Sequence, residues 1–346
     1  MTPTLHDQRQ KHDITIRRLT KQDFEAVVAL DAAAVGHPRT SYFERRLKTA
    51  LLRPAIYVQF GAEQNGKLVG FMMARQMQGQ FGRNEPALRL EAFAVASDVR
   101  GRQIGSALLS KLEDEAKRLK ILEIRTTASW RDHAITQFLS HAGFELGNEL
   151  VVDRQVTDQR LVAQEDTNVV APLHQPGLAD AKADHSPAKD KDLAAITRDK
   201  VALSTLKPDD LYDVVCIDRK VRASDDRREA FFYELVDEAM NDSAVRVSLV
   251  ARIDGIAAGF VMARTNFGDY GRAESVAVLD TIGVSPDYSR QGIGNALLSQ
   301  LVANLDELRV ERVETVVASK DFELLGFFYS VGFKPSQRLG FVKQVK

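Results

Sequence analysis

The sequence predicts two tandem α/β domains, each a mixed sheet with helices packed on it. Three observations carry that expectation. The chain has 346 residues, 44% of them hydrophobic and 27% charged, which is globular composition at a length beyond one ordinary core. It also repeats itself: RQIGSALLSKL at 102–112 lies on QGIGNALLSQL at 291–301, a displacement of 189 from Gly105 to Gly294. Within each repeat, apolar runs with strand and helix periods alternate.

The same displacement pairs Gly66 with Gly255, Gly70 with Gly259, Arg75 with Arg264, Glu85 with Glu274, Val95 with Val284 and Gly143-Phe144 with Gly332-Phe333. Near the start it becomes 187, pairing Leu19 with Leu206 and Asp31 with Asp218. So long a period indicates a duplicated domain, because solenoid repeats run only about 20–50 residues. The expected division is 12–156, a polar linker at 157–198 rich in Ala, Asp, Lys and Pro, and 199–346.

Each repeat opens on a strand (Ile14 to Arg18; Val201 to Ser204) and an acid-rich helix start, with Pro208 suited to a first turn. Two strands follow, joined at Asn65-Gly66 and Asp254-Gly255, dipeptides that favour a type I′ hairpin because both central residues need positive φ. A further strand, LRLEAFAV or VLDTIGV, leads through a polar loop into an amphipathic helix with Leu108, Leu112, Ala116 and Leu119, or Leu297, Leu301, Leu305 and Leu308. Strand ILEIRTT or VERVETVV, a helix ending in Gly-Phe, and a last strand LVVDRQV or LGFVKQV complete each repeat.

Bulk properties exclude several functions. Forty-seven basic against 48 acidic residues leave a net charge of -1, so no long-range field draws in nucleic acid or an anionic membrane. Neither partner is expected. The single cysteine, Cys216, forms no internal disulfide and reads as a buried helical thiol. The N-terminus is polar, and no run of about eighteen apolar residues occurs, so a soluble cytoplasmic protein is expected. Walker and metal-ligand spacings are absent.

The informative segment is DTIGVSPDYSRQGIGNALLSQL: a buried strand, a loop, two glycines one residue apart, and at once a helix. Such a turn aims backbone N–H groups and a helix N-terminus at one spot, a geometry suited to pyrophosphate, and Gly292 and Gly294 let the backbone approach closely. A Rossmann fingerprint is a poor match, because Ser285 to Ser289 separate the glycines from the strand end. With the Gly-Phe ending, the segment resembles the GNAT (GCN5-related N-acetyltransferase) superfamily over nearly all of both repeats. The resemblance implies acetyl-CoA or another acyl-CoA as co-substrate. In repeat two, Ile282 and Val284 would run along the pantetheine, and Ser289, Arg290, Gln291, Gly292, Ile293, Gly294 and Asn295 would hold the pyrophosphate. In repeat one the matching set is Val95, Arg100, Gly101, Arg102, Gln103, Gly105 and Ser106. Both depart from the pattern: Gln103 replaces the first glycine, and Ser289 stands where Arg or Gln is usual. Repeat two is therefore expected to be the stronger site and repeat one a degenerate or supporting copy.

Acetyl transfer to an amine needs a route for the amine's proton and an acid for the departing thiolate. The family often places a tyrosine four residues before the Gly of Gly-Phe. Here those positions are Leu139 and Phe328, and Tyr329 is one place later, turned by about 100°. For the base, Glu91 and Asp280 occupy matching places on the strand entering the cleft, and alternation puts them on the opposite pleat from residues 92 and 281. An acid within an apolar strand is either functional or held in a salt bridge or cap, and both readings are open. Glu85 and Glu274 come next. Asp132 and Asp321 read as N-caps, and His133, His141 and Trp130 as packing or surface residues. The sequence thus points to an acetyl-CoA-dependent N-acetyltransferase acting by direct attack of an amine, with a non-catalytic acyl-CoA sensor or scaffold as the alternative.

Overall fold

A computed structural model describes residues 14–77, 86–157, 201–222, 229, 231–233, 235–236, 246–266 and 275–345. The linker, Glu85 and Glu274 lie outside the described residues. The chain divides into two compact units: residues up to Val151 with Ser336 onward, and Val152–Asn266 with Val276–Pro335.

Unit 1 contains β1 (Thr15–Arg18), α1 (Phe24–Val35), α2 (Thr40–Leu52), β2 (Tyr57–Gln64), β3 (Lys67–Met77), β4 (Ala87–Val95), α3 (Ile104–Arg118), β5 (Glu123–Ser129) and α4 (His133–His141). Its strand order is β1-β2-β3-β4-β5, followed by the chain's last strand, here β12 (Lys334–Gln344). All neighbours are antiparallel except β4 and β5. The sheet's two faces bury different clusters. Val58, Phe60, Met72, Leu88 and Leu90 pack with α3, whereas Phe71, Met73, Ala92 and Ala94 pack with α1 and α2.

Unit 2 repeats the plan with β7 (Ala202–Thr205), α5 (Leu211–Arg222), β8 (Arg246–Ile253), β9 (Ile256–Asn266), β10 (Val276–Val284), α6 (Ile293–Glu307), β11 (Arg312–Ala318) and α7 (Phe322–Ser330). Its order is β7-β8-β9-β10-β11, closed by the end of β6 (Glu145–Gln155). Each unit therefore draws its closing strand from the other repeat. The repeats are alike enough for the substitution to preserve the bonding. In unit 2, Arg154 donates to the carbonyl of Val331 at the end of α7 (2.7 Å), and in unit 1 Lys343 donates to that of Ala142 at the end of α4. Both pairs of positions differ by 189.

Local expectations resolve in physical detail. Both hairpins turn through two left-handed residues, Asn65 and Gly66 (φ 52° and 75°) and Asp254 and Gly255 (49° and 80°), the type I′ signature. Asp132 and Asp321 cap α4 and α7 by accepting from Ile135 and Leu324 N–H. The Gly-Phe endings are Schellman caps: Gly143 and Gly332 are left-handed, and Phe144 and Phe333 N–H return to the carbonyls of Leu139 and Phe328. Leu119 and Leu308 are the C-cap residues of α3 and α6; Leu119 still packs against the core, whereas Leu308 is exposed. Cys216 is half-buried, not enclosed, since it sits on a side of α5 turned from the sheet-facing Val214 and Ile217. No helix among the described residues is long and apolar enough to cross a membrane.

Candidate functional site

The site begins with a break in the sheet. On β4, Leu90 pairs with Ala74 and Ala92 with Met73, leaving Glu91 as an unpaired bulge residue. Asp280 is the corresponding bulge on β10, between Leu279 and Thr281. A bulge interrupts alternation. Glu91 reaches Arg46 on α2, and Ala92 packs into the cluster with the same helix, so strict alternation across 91 and 92 fails.

Beyond the bulge the parallel neighbours part. The β4–β5 ladder ends at Arg89↔Arg125, and the β10–β11 ladder at Val278↔Glu314. A threonine hydroxyl takes the carbonyl freed at each vertex, Thr126 to Leu90 and Thr315 to Leu279, both at 3.0 Å. Above it, residues 92–95 and 281–284 stay bonded to β3 and β9 on one side only. Val95, Ile282 and Val284 are half-buried along this opening. An extended chain bearing amides fits beside such an unpaired edge.

The opening leads to the loop. Left-handed residues alternate there, Gly101 (φ 80°) and Gln103 (61°) in unit 1, Arg290 (60°) and Gly292 (76°) in unit 2. Gln103 and Gly292 are the N-caps of α3 and α6, and no side chain caps either helix. The first-turn N–H groups, those of Ile293, Gly294 and Asn295 in unit 2, have no intrahelical acceptor. Ser289, Arg290, Gln291, Gly292 and Asn295 are exposed, as are Arg100, Gly101, Arg102, Gln103 and Ser106. Alternating left- and right-handed residues turn successive N–H groups inward, and exposed arginines flank them, so each loop is an open anion cradle. The replacement of glycine by Gln103 leaves this backbone shape intact.

Gly294 and Gly105 also leave room for a ring. Both are helical. A Cβ on Gly294 would meet the Phe327 ring at 3.1 Å, and one on Gly105 the Phe138 ring at 2.8 Å. Their small size seats the last helix's phenylalanine on the first helical turn.

For the candidate proton carriers, the ion-pair reading is what the geometry displays. Glu91 accepts from Arg46 at 2.6 Å and lies 2.8 Å from Arg75, all three nine-tenths buried or nearly so. Asp280, 1% exposed, lies 3.1 Å from Arg264. Tyr329 is 68% exposed and about 200° round α7 from Phe327, so it is turned away from the loop. Phe328 is fully buried, and its ring lies 4.9 Å from that of Phe333, which closes the Schellman cap. His133 and His141 are exposed, and Trp130 hydrogen-bonds Gln337. The sequence reading overlooked Glu314, 5% exposed at the vertex of unit 2. The alternation in ERVETVV is the signal that marks it.

The model of the acetyltransferase (GNAT) family matches residues 16–144 and 210–333. Among solved structures, a tandem GNAT protein from the clavulanic acid biosynthesis pathway is similar at 17% identity, TM-score 0.63, over 96% of this chain and 99% of that one. A GCN5-related N-acetyltransferase from Sphaerobacter thermophilus aligns at 14% identity, TM-score 0.56, over 96% of each chain. A glucosamine N-acetyltransferase region of a fungal multi-domain β-N-acetylglucosaminidase aligns at 14% identity, TM-score 0.62, over 95% of this chain, which spans only 38% of that one. These likenesses concern the fold. No curated protein matches by sequence.

Proposed function

This chain belongs to the acetyltransferase (GNAT) family, and from that premise we propose that it is an acetyl-CoA-dependent N-acetyltransferase with an acyl-CoA site in each unit. The observation that carries the reading is the repeated sequence of bulge, parted strands, alternating left-handed loop and uncapped helix N-terminus. In this reading the pantetheine lies along residues 92–95 and 281–284. Its pyrophosphate takes the N–H groups of 101–106 and 290–295, each charged hydrogen bond contributing roughly 1.5–3 kcal/mol. Unit 2 binds more tightly, because Gly292 leaves space that the Gln103 side chain occupies in unit 1.

The acceptor amine arrives at the vertex and attacks the thioester directly. Its nitrogen bonds to the acetyl carbonyl carbon, the carbon–sulfur bond breaks, and CoA leaves as thiol once protonated. Glu91 and Asp280 stand at that vertex with their carboxylates engaged by arginine. We assign them to positioning and let the proton leave through water. Arginine-held carboxylates, and phenylalanine at the place usual for tyrosine, also favour a second reading, an acyl-CoA sensor without turnover.

Titration calorimetry of the whole chain with acetyl-CoA, followed by thiol release across a panel of amines, tests both. Two unequal sites with thiol release support the enzyme. Binding without release from any amine favours the sensor, and no binding overturns both.

A further inference from the structure

We propose that the exposed face of α7 in unit 2 is a docking surface for the chain's own linker, with Leu161 and Val162 seated between Phe322 and Tyr329. The contrast between the two repeats marks the surface, and the place where the linker begins names its occupant.

Phe322, Gly326 and Tyr329 stand at i, i+4 and i+7 on α7, within about 60° of one another round the helix. Phe322 is 79% exposed and Tyr329 68%, so two large rings face solvent from one stripe. Glycine weakens a helix interior, yet a Cβ on Gly326 would meet nothing within 4 Å among the described residues. The packing of unit 2 gives no reason for glycine there. Unit 1 shows that the helix does not need these three residues. At the matching positions, 189 earlier, α4 carries His133, Gln137 and Ser140, all exposed and all polar. Two rings flanking a glycine leave a notch between them, and an aliphatic side chain brought from elsewhere fits it.

A second copy of the chain is a poor occupant. A buried Phe or Tyr covers about 150–250 Å², so two rings from each of two copies cover about 800 Å², less than the roughly 1,200 Å² at which stable interfaces begin. A tethered segment meets no such threshold, because the tether sets its effective concentration. The linker is tethered beside this face. Near the end of β6, Arg154 donates to the carbonyl of Val331 (2.7 Å) and Val156 N–H to that of Glu311 (3.0 Å). The residues described on either side of the linker, Thr157 and Val201, both belong to unit 2. Phe322 lies nine residues before Val331, about 14 Å along the helix. Leu161 and Val162 come four and five residues after Thr157, a reach of up to about 14–17 Å. With Ala163 they form a short apolar run between Asp158-Gln159-Arg160 and Gln164-Glu165-Asp166. Arg160 also brings the charge opposite to that of Glu323, which is exposed beside Phe322. Seated there, the segment fastens the end of β6 to the helix that Arg154 already touches.

Limited trypsinolysis of the whole chain reads the docking as the ratio of cleavage rates after Arg160 and after Lys182, further along the same linker. The triple variant Phe322→His, Gly326→Gln, Tyr329→Ser installs the residues that unit 1 carries. It is expected to raise the Arg160-to-Lys182 ratio at least about tenfold, because cleavage follows the population of the undocked segment. A second measurement keeps the face intact: with p-benzoylphenylalanine in place of Phe322, irradiation should cross-link residues 159–165 of the same chain, at a yield independent of protein concentration. A ratio unchanged by the triple variant overturns the proposal. So does a cross-link that joins two chains, falls outside 159–165 or fails to form.

Discussion

The two units run the same backbone with different side chains, and the contrast separates what the fold needs from what the chemistry chooses. The left-handed loop, the bulge, the vertex threonine and the Schellman cap occur in both. The residue carrying the left-handed turn and the charges at the vertex do not, although the bulge acid keeps an arginine partner on the neighbouring strand, Arg75 or Arg264. Backbone geometry is therefore the conserved quantity within this chain, and side-chain chemistry has diverged around it.

The largest effect should come from the closing strands. Deleting residues 336–346 removes the register partners of β5 from Arg338 to Gln344, the bonds from Arg338 to Thr127 and the packing of Phe341 and Val345. The expected loss is at least about 3 kcal/mol from unit 1. Differential scanning calorimetry should show one transition lowered or missing, and the acetyl-CoA stoichiometry should fall to one. Two unchanged transitions would show that β12 is dispensable.

Next come the bulge acids. Glu91→Gln leaves Arg46 and Arg75 without their shared carboxylate, whereas Asp280→Asn weakens a pair with Arg264. Breaking a buried pair costs about 3–5 kcal/mol, and chemical denaturation should place Glu91→Gln at the upper end and Asp280→Asn below it. The reverse order would contradict the sharing of Glu91 between two buried arginines.

A reciprocal exchange sharpens the comparison of the loops. A non-glycine residue in the left-handed region costs about 1 kcal/mol. Gln103→Gly should therefore stabilise unit 1 by about that amount and tighten its acetyl-CoA site, and Gly292→Gln should do the opposite in unit 2. Urea midpoints and calorimetric affinities measure both.

The smallest effect is on acid stability. Arg17 holds the Asp23 carboxyl below the ordinary carboxylate range through its hydrogen bonds, and Arg118 does the same for Glu115. Because the folded pKa lies below the unfolded value of about 4, this stabilisation is complete above that value. It is lost as the pH falls through the folded one. Asp23→Asn should flatten the acid limb of a circular-dichroism pH titration and leave the neutral region flat.

Much of this was legible in the sequence because the chain states its fold twice. Asn65-Gly66 and Asp254-Gly255 specify their turns outright, and Asp132 and Asp321 announce their helices. The loop was visible because a strand, a gap and Gly-x-Gly stand in order. The rest depends on contacts that spacing does not encode. Gly294 reads as a phosphate glycine, and nothing in the spacing tells that its missing Cβ also makes room for Phe327, thirty-three positions on. Glu91 reads equally as a base or as half of an ion pair, and the bulge that turns it toward Arg46 is not written in the spacing. The source of each closing strand was hidden because either repeat's strand satisfies either sheet. The ion pairs of Glu91 with Arg46 and Arg75 are legible only once α2 and β3 are set against β4.

The central claim is that both loops are acyl-CoA cradles. Titration calorimetry of the intact chain with acetyl-CoA tests it most directly. Two sites per chain are predicted, the tighter weakened at least about tenfold by Gly292→Val, since a β-branched residue resists φ near 76°. The absence of saturable binding, or two sites indifferent to that substitution, would contradict the account.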